Sequence, residues 1–513
     1  MPETAATDNA PLTSRGKARS RARDRAKRNA IISQPKPTLH RSLADYDAFP
    51  MEMVVETHEQ VLSLVEDIGI EFRDEEALAL WRQAGAKVDG ALVRVPRELL
   101  MGLLETVPSE FSLAARNPAR SVIIGGRNTV FGPGYGAPNV VDLDWLRRPA
   151  TLADLENFYR LTHMAPAIQV NGGVIVEPTD IAIPLRHLHM VAQGFRLTDK
   201  PVLGPVTSAE RAQDAIAMAE IVFGEAFVDS HPVYIGLINS NSPRVWDETM
   251  LDALKTYARA GQAVLVQPFS MMGASMPAHF IAATVQACAE ALVAIALMQF
   301  IRPGAPAIMG GGAGAASMKT GGPMVAATSA FWALFLGSQM CRFYRIPKRA
   351  IAGASCSKHP DMYAGYEGGL TAMATMLAGS AFVNHTGGML EGLLTMSYAK
   401  CAVDYEIMDL LNVTIGDDDR DGAEEALATI PDIEPGGHFL GTAHTLAHYP
   451  FQPELQDYNT FEQWDEEGRV NTDERGRRHA IALLEAYEAP PIDPAIDEEL
   501  GEFVERRSRE LGG

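Results

Sequence analysis

Short apolar segments alternate with helical segments along most of the chain. Each apolar segment ends in small or polar residues, and the stretch after it has apolar positions three and four residues apart, the spacing of an amphipathic helix. The apolar segments are TVFGPGYG, AIQVNGG, PVLGPVTS, VYIGLINSNS, AVLVQPFS, PAIMGGGAG, AIAGASCS and AFVNHTGG. Nearly continuous apolar runs are typical of parallel strands that are buried on both faces. Eight such runs in alternation with helices predict an α/β fold, a (β/α)8 TIM barrel, with a doubly wound open sheet as the alternative.

The regions on either side of this repeat have a different pattern of apolar and polar residues. Residues 41–125 show helical spacing, interrupted by the hairpin-like KVDGALVRV and by two short strand patterns, FSLAARN and SVIIGG. They predict a helical lead-in, after which residues 126–400 form the barrel. Residues 401–513 are more charged, and PPIDPAIDEELGEF places proline at a helix start, so we expect a C-terminal helical extension packed on the barrel. Residues 1–40 are basic and predict a disordered tail.

The basic cluster and the most apolar stretch bear on membrane contact. Residues 15–28 carry eight basic side chains and one acid, but the following NAIISQPKP is too polar for the apolar core of a signal peptide. The cluster is either an electrostatic arm for a partner or a solvated tail, and we favour the tail. Residues 291–301 are too few to span a bilayer and predict a buried helix. We therefore expect a cytoplasmic protein with no membrane partner.

Charge and cysteine content exclude several classes of protein. The 513 residues include 44 Lys and Arg against 65 Asp and Glu, a net charge of −21, and residues 1–40 hold nine of the bases but three of the acids. The rest of the chain is therefore more acidic still, and it would repel the phosphate backbone of nucleic acids. Four cysteines without a C-x-x-C pair exclude a disulfide-rich protein and a thiolate zinc knuckle, and they fit a reducing compartment. There is no G-x-S-x-G and no H-E-x-x-H sequence.

Two further sequence features bear on cofactors. Gly310, Gly312 and Ala315 match G-x-G-x-x-[GA] after a strand, but the acidic residue that a dinucleotide site needs about twenty positions later is missing. We favour a glycine-rich loop that lets another molecule approach the backbone closely. The histidines of PGGHFLGTAHTLAHY have no carboxylate or thiol at a ligand spacing, so we predict no metal site.

Candidate binding residues follow from the predicted fold. In a (β/α)8 barrel the side chains that act on ligands lie at the carboxyl ends of the strands and in the loops after them. At these positions the sequence is rich in amides, carboxylates and tyrosines and poor in arginine. Such a pocket suits a small polar or cationic ligand, because aromatic faces stabilise a cation by roughly 0.5–2 kcal/mol each. The candidates are Tyr135, Lys358, His359, Asp361, Tyr363, Tyr366, Glu367 and His385.

Three separated sequence blocks make the chain similar to a known family. They are GGGAGAASMKTGGPMVAATSAFWALFLGSQMCRFYRIP, SCSKHPDMYAGYEGGLTAMATMLAGSAFVNHTGGMLEGLLTMSYAK and EPGGHFLGTAHTLAHY. In this order they resemble the trimethylamine methyltransferase superfamily, and the similarity extends over the lead-in and the C-terminal extension. The resemblance implies a (β/α)8 barrel that transfers a methyl group from a methylated amine to the Co(I) of a separate corrinoid protein, which carries the cobalamin.

One departure narrows the implied substrate. The founding members of the family contain pyrrolysine, whereas this chain consists of the twenty standard residues. It therefore resembles the non-pyrrolysine, glycine betaine methyltransferase-like branch, which implies a quaternary amine such as glycine betaine or a related betaine. A quaternary ammonium departs as a neutral tertiary amine, so neither a general acid nor a metal is needed and the protein positions and desolvates its substrate. No tightly bound cofactor is expected.

The resemblance also implies roles for the candidate residues. Some would surround the ammonium as aromatic walls or supply a negative field: Tyr135, Tyr363, Tyr366, Asp361 and Glu367. Lys358, His359 and His385 would bind a carboxylate of the substrate. Two other functions remain open, namely cobalt-independent methyl transfer from a betaine to tetrahydrofolate, and a non-catalytic barrel that binds a betaine. We also expect a homo-oligomer that has a small methylated amine and a corrinoid protein as partners.

Overall fold

The computed structural model describes residues 38–204, 208–416, 422–448 and 453–512. The predicted basic tail, residues 1–40, lies almost entirely outside the described residues. The described chain is a mixed α/β protein, in which parallel strands are surrounded by helices and helical segments precede and follow them.

All eight apolar segments are strands in the structure, and we number them β1 to β8. They are β1 Asn128–Phe131, β2 Asn171–Gly172, β3 Val202–Leu203, β4 Tyr234–Ile238, β5 Ala263–Val266, β6 Ala307–Met309, β7 Arg349–Ile351 and β8 Phe382–Asn384. Strands β2 to β6 pair in parallel and in chain order. Strands β7, β8 and β1 form a second parallel group in that order. The predicted succession of parallel strands is therefore confirmed.

Backbone contacts join the two parallel groups. The amide of Val170, directly before β2, donates to the carbonyl of Phe131 in β1 at 3.2 Å. On the other side Met309 of β6 forms a parallel bridge with Lys348, which directly precedes β7. The strands are buried on both faces, because one set of their side chains packs in a central cluster and the other packs against the helices. Leu237 and Leu265 are members of the central cluster.

Helices alternate with the strands and continue beyond them. They are Met51–Ser63, Glu75–Ala84, Arg97–Leu104, Leu152–Met164, Arg186–Leu197, Ala209–Phe223, Glu225–Ser230, Glu248–Arg259, Phe280–Ile301, Thr328–Tyr344, Met362–Leu377, Tyr398–Ile415, Ala423–Ala428, Ala443–Ala447, Phe461–Glu466, Thr472–Ala486 and Pro494–Glu510. A π-helical turn, Leu64–Ile68, extends the first of these, and short 3₁₀ helices span Pro118–Arg120 and Ile430–Asp432. Helices therefore occur where the lead-in and the C-terminal extension were predicted.

The remaining strands are short and lie outside the central set. They are Leu39–His40, Ile70–Arg73, Lys87–Asp89, Leu92–Arg94, Glu110–Leu113, Val122–Gly125, Asn139–Val141, Arg147–Pro149, Val245–Asp247, Met271–Met272, Gly314–Ala316, Pro323–Met324, Met389–Leu390 and Thr395–Ser397. The predicted hairpin of the lead-in is confirmed, and the two strand patterns after it pair antiparallel. The small sheets in the loops after the central strands were not predicted, and some of their pairings join segments far apart in sequence, such as Asn139–Val141 with Thr395–Ser397.

The most apolar helix, Phe280–Ile301, is buried as predicted but is longer than predicted. It has 22 residues, so it is long and apolar enough to cross a membrane by length and composition. Most of it lies inside the protein, against the helices Met51–Ser63, Arg97–Leu104 and Thr328–Tyr344. The first half of the helix contains polar residues such as Gln286, so the sequence showed a continuous apolar stretch only in the second half. A helix with no polar face belongs in the centre of a large fold.

The C-terminal helices pack on those that surround the strands. Thr472–Ala486 lies against Tyr398–Ile415, the helix that follows β8 and spans the predicted boundary at residue 400. The last helix, Pro494–Glu510, has proline in its first turn as predicted, and Asp493 caps it through the amide of Ala495. This helix packs across two of the helices between the strands.

Candidate functional site

A cavity of about 460 Å³ opens at the carboxyl ends of the central strands. Asn239 follows β4, Gln267 follows β5, Arg349 begins β7 and His385 follows β8, and all four line this cavity. Ligands of parallel α/β folds bind at this end of the strands. Much of the remaining wall is apolar: Leu237, Phe269, Met271, Met324, Phe331, Leu334, Leu393 and Leu394. None of the described residues that line the cavity carries a carboxylate.

Arg349 is held in place by two amide side chains. Its Nε donates to Oδ1 of Asn384 at 2.7 Å, and its Nη1 donates to Oε1 of Gln267 at 3.1 Å. Burial lowers the pKa of Arg349 to about 9, although part of its surface remains accessible where it lines the cavity. Both partners are neutral, so they orient the guanidinium without cancelling its charge. The remaining N–H donors are available to an anionic ligand.

Lys348 adds a second cation to the same cavity. The residue is only 5% exposed, and burial lowers its pKa below 10.5. Within the described part of the chain its ammonium has no hydrogen-bond or ion-pair partner. A buried ammonium without a counter-charge is costly, and an anion in the cavity would relieve that cost.

His385 supplies a neutral imidazole at the cavity wall. The residue is 6% exposed, and burial, reinforced by the charge of Arg349, holds the pKa of its imidazole well below the ordinary value of 6.5. Its Nδ1 has no partner among the described residues, and its backbone has φ 59°, a strained conformation for a residue other than glycine. The amide of His385 donates to the carbonyl of Pro133 at 2.8 Å, which fixes this turn. The ring can thus accept or donate one hydrogen bond without repelling a cation.

Tyr135 contributes an aromatic face from the loop after β1. Its hydroxyl donates to the carbonyl of Gly204 at 3.2 Å, and burial raises its pKa far above the usual range, so it stays neutral. Phe269 and Phe331 are further aromatic residues of the wall. Aromatic faces without a competing carboxylate provide an environment for an ammonium group.

The glycine-rich segment after β6 shapes the cavity. A side chain at Gly310 would place its Cβ 1.8 Å from Oε1 of Gln267, so glycine is required for Gln267 to reach the arginine. The segment then continues into the hairpin of Gly314–Ala316 and Pro323–Met324, which contributes to the cavity wall. A dinucleotide loop would instead open a helix here. Gly310 therefore serves packing within the protein, which the sequence did not show.

Several sequence-predicted residues lie away from the cavity, on the surface near the start of the helix Met362–Leu377. Lys358 is exposed and donates to the carbonyl of Cys356 at 2.7 Å. His359 is exposed, lies 3.4 Å from a carboxylate oxygen of Asp473, and does not meet His385 in the cavity.

Asp361, Tyr363, Tyr366 and Glu367 belong to this helix and do not line the cavity either. Asp361 caps it by accepting from the amide of Ala364 at 2.9 Å. The rings of Tyr363 and Tyr366 lie 5.1 Å apart, and both are exposed. Glu367 is buried, with Oε2 accepting at 2.7 Å from the Ser355 hydroxyl and from the Cys356 amide. The structure thus brings only Tyr135 and His385 of the eight candidates into the cavity.

Sequence reasoning missed Arg349 and Lys348. The candidates were sought at the carboxyl ends of the strands, whereas Lys348 directly precedes β7 and Arg349 is its first residue. The long side chain of Arg349 nevertheless reaches the end of β8 at Asn384. The sequence did contain one indication, namely two adjacent basic residues at the start of a buried apolar strand. Lysine and arginine are rarely buried unless they are paired, so their presence there indicates a functional role.

Comparison with known proteins identifies the family of the chain. Residues 14–512 match the model of the family described as trimethylamine methyltransferase (MTTB). The chain is 37% identical to a glycine betaine methyltransferase of Desulfitobacterium hafniense, over 92% of this chain and 99% of that protein. It is 28% identical to a proline betaine:corrinoid methyltransferase of Eubacterium limosum, over 91% and 92% of the two chains.

Further similarities point the same way. A trimethylamine methyltransferase MttB of Desulfitobacterium hafniense is 28% identical over 90% of this chain and 94% of its own. Among solved structures, that of the hydroxylamine MtmB complex matches with a TM-score of 0.51 and 10% identity, over 96% of this chain and 92% of that one, which supports the fold. This chain is a methyltransferase that belongs to the trimethylamine methyltransferase (MTTB) family.

Proposed function

We propose that this protein transfers a methyl group from a small betaine, a quaternary amine that carries a carboxylate, to the Co(I) of a separate corrinoid protein. The observation that carries the proposal is the pair of cations, Lys348 and Arg349, in a cavity whose described lining has no carboxylate. Glycine betaine is the first candidate, because the relative at 37% identity is named for it. Related betaines follow from the proline betaine and L-carnitine enzymes among the relatives.

The cavity distinguishes the two ends of a betaine. The guanidinium of Arg349 is oriented by neutral partners and can form two parallel hydrogen bonds to a carboxylate. Lys348 adds a second positive charge nearby. Both would repel trimethylammonium, which has no carboxylate to offset its charge. The ammonium end would lie against Tyr135, Phe269 and Phe331, where each aromatic face contributes about 0.5–2 kcal/mol.

The chemistry needs no proton from the protein. When the methyl group leaves, the electron pair of the broken C–N bond stays on nitrogen, and the product is a neutral tertiary amine at that atom. His385, with its pKa well below 6.5, is uncharged and so does not repel the substrate cation. Apolar walls exclude water, which would otherwise stabilise the charged substrate more than the charge-dispersed transition state. The protein therefore acts by orientation and desolvation.

The proposal revises the predicted roles of the residues outside the cavity, since Arg349 and Lys348 would take the carboxylate of the substrate within it. Lys358, His359 and Asp361 lie at the surface, where they would contact a substrate or a partner arriving from outside. The partner's cobalt would reach the methyl group through the open side of the cavity. A cytoplasmic location belongs to the same proposal, since the cysteines are free.

The proposal includes a closed (β/α)8 barrel over residues 126–400, with residues 41–125 as lead-in and 401–513 as extension. Closure is supported by the hydrogen bond between Val170 and Phe131 and by the bridge between Met309 and Lys348. Together these would link β1 to β2 and β6 to β7.

The direct test combines the purified protein, a reduced corrinoid protein and a panel of amines. We expect methyl-Co(III) absorbance with glycine betaine or another betaine, and little with trimethylamine or tetramethylammonium. If no betaine gives methyl-Co(III) absorbance while the cobalt is verified as reduced, the proposal is wrong. A clear preference for trimethylamine would overturn the substrate class while leaving methyl transfer intact.

The same mixtures test the two other functions. Methylated tetrahydrofolate formed without any corrinoid would identify the cobalt-independent reaction. Tight betaine binding by calorimetry, with no loss of the methyl group to either acceptor, would identify a non-catalytic binding protein.

A further inference from the structure

The helix Met362–Leu377 has an apolar face that points to solvent. Its opposite face, which includes Ala364 and Ala372, is buried. The exposed residues recur three and four positions apart, which places them on one side of the helix. We call them the exposed helix face: Tyr363 39%, Tyr366 53%, Leu370 52%, Met373 42% and Leu377 37% exposed.

Charge is nearly absent from this helix. Its single ionisable acid, Glu367, is buried, and it contains no lysine or arginine. A solvent-facing helix normally carries charged residues on its outer side. Depletion of charge together with aromatic residues and methionine is the composition of the core of a protein–protein interface. The exposed helix face therefore has the character of a contact surface.

The surface runs along the side of the molecule. A helix of 16 residues is about 24 Å long. At its far end the amide of Tyr46 donates to the carbonyl of Leu377 at 2.8 Å, and Tyr46 and Leu43 are 53% and 49% exposed. They extend the apolar surface. A partner that covered only the open side of the cavity would leave this end exposed.

A second uncovered apolar element belongs to the same chain. None of residues 422–448 is buried, and we call this stretch the exposed segment. Its helices Ala423–Ala428 and Ala443–Ala447 are far shorter than isolated helices that persist in water. Large apolar side chains stand in solvent along it: Leu427 64%, Ile430 55%, Phe439 42%, Leu440 69% and Leu446 74% exposed. Such a segment requires a surface to pack on.

We propose that the exposed segment of a second copy of this chain covers the exposed helix face, and that the exchange is reciprocal. The segment comes after Tyr398–Ile415 in the chain, and that helix contacts Met362–Leu377, so the two apolar elements belong to neighbouring parts of the fold. A two-fold axis would cover both apolar elements of each chain in one closed dimer. A corrinoid protein fits this surface less well, since its metal must reach the cavity while the helix face extends along the flank.

The first test measures the molar mass of the full chain by light scattering. We expect a dimer or a multiple of it, and we expect Leu370→Asp and Leu440→Asp each to weaken association at least 100-fold, the cost of burying a charge in an apolar contact. Ile123→Asp is the matched control, because Ile123 is 46% exposed and belongs to the strand Val122–Gly125, outside both apolar elements, and it should leave the mass unchanged. A monomeric wild type, or an assembly that withstands both substitutions, overturns the proposal.

Two further measurements identify the occupant. A chain with Leu370→Cys mixed with a chain with Leu440→Cys should form a disulfide between the two copies, and failure of that pair to cross-link contradicts the proposal. Leu440→Asp cannot disrupt a core, since its segment buries no residue, so dissociation by this variant with an unchanged circular dichroism spectrum reports the contact itself. If Leu370→Asp leaves the assembly intact but stops methyl transfer to the corrinoid protein, the face belongs to that partner and the proposal fails.

Discussion

At the scale of single residues, Arg349 carries the most specific expectation. We expect Arg349→Met to lower kcat/KM for glycine betaine by roughly 10- to 150-fold, because one or two hydrogen bonds to a charged group are lost. Arg349→Lys should restore part of the activity. Kinetics with tetramethylammonium provide the control, since that amine has no carboxylate. An equal loss with both amines would show that Arg349 serves the fold and not the carboxylate.

Lys348 predicts a pH dependence of binding. Burial holds its pKa below 10.5, and a bound carboxylate favours the protonated ammonium. Betaine affinity is therefore full at low pH and falls as pH rises through the lowered pKa of the free protein. His385 adds no pH dependence in this range, because it is neutral throughout.

Calorimetric titrations from neutral to alkaline pH check this expectation. Lys348→Met should bind betaine more weakly at neutral pH and should lose the part of the decline that Lys348 causes. The part that remains belongs to Arg349, whose pKa burial lowers to about 9. A variant that retains the full pH dependence of the wild type would assign the titration to another group.

At the scale of elements, a buried carboxylate joins the longest helix to the loop after β4. Glu290 is 0% exposed, and Oε2 accepts from Ser240 at 2.5 Å and from Ser242 at 2.6 Å. Its Oε1 accepts from the amide of Arg244 at 2.7 Å and from Gln286 at 2.8 Å. Four donors around one anion hold the helix in register with the loop.

We expect Glu290→Gln to destabilise the protein by about 1–3 kcal/mol, because an amide nitrogen cannot accept and leaves buried donors unpaired. Thermal unfolding measures this as a lower midpoint. Glu505→Gln, at an exposed position, is the control and should leave the midpoint unchanged. An unchanged midpoint for Glu290→Gln would mean that the loop relaxes without cost.

The elements that sequence could predict are those defined by local periodicity. The eight central strands have short apolar runs bounded by turn residues, and the lead-in helices have a three- and four-residue spacing. The hairpin of Gly314–Ala316 with Pro323–Met324 has no such signal, since its residues are small and its partner across the loops is Met271–Met272. Tyr135 and His385 were found because each lies in the loop that follows a strand. Arg349 was missed because side-chain length, not strand position, brings it to the cavity.

At the scale of the whole molecule, charge is arranged in two opposite layers. The chain has a net charge of −21, yet the described lining of the cavity contains cations and no carboxylate. In the proposed function the interior cations would bind the carboxylate of a betaine, and within about a Debye length the acidic exterior would favour its ammonium end over its carboxylate end. A zwitterion has a positive group that suits the acidic exterior and a negative group that suits the cations of the cavity. A simple ammonium ion has only the positive group.

The last helix is fastened to the body through a buried carboxylate. Asp214 accepts from His187 at 2.8 Å and from Nε of Arg507 at 2.7 Å, which joins Pro494–Glu510 to two helices beside the strands. Burial raises the pKa of Asp214, but these hydrogen bonds outweigh it and hold that pKa below 3.8. The contribution to stability is therefore present above this value and is lost as pH falls through the lowered pKa.

We expect Arg507→Met to loosen this helix by about 1–3 kcal/mol, because Asp214 keeps its charge but loses the donor that the last helix supplies. Hydrogen exchange should then quicken by roughly 5- to 150-fold for amides of the last helix, with the central strands unchanged. Arg507→Lys should give an intermediate effect, since it keeps the charge without the two-pronged geometry. Faster exchange throughout the chain would mean that the last helix unfolds together with the rest of the protein. In that case the apolar contacts of Leu500 and Phe503, which are buried in the main core, would hold the helix in place more than the ion pair does.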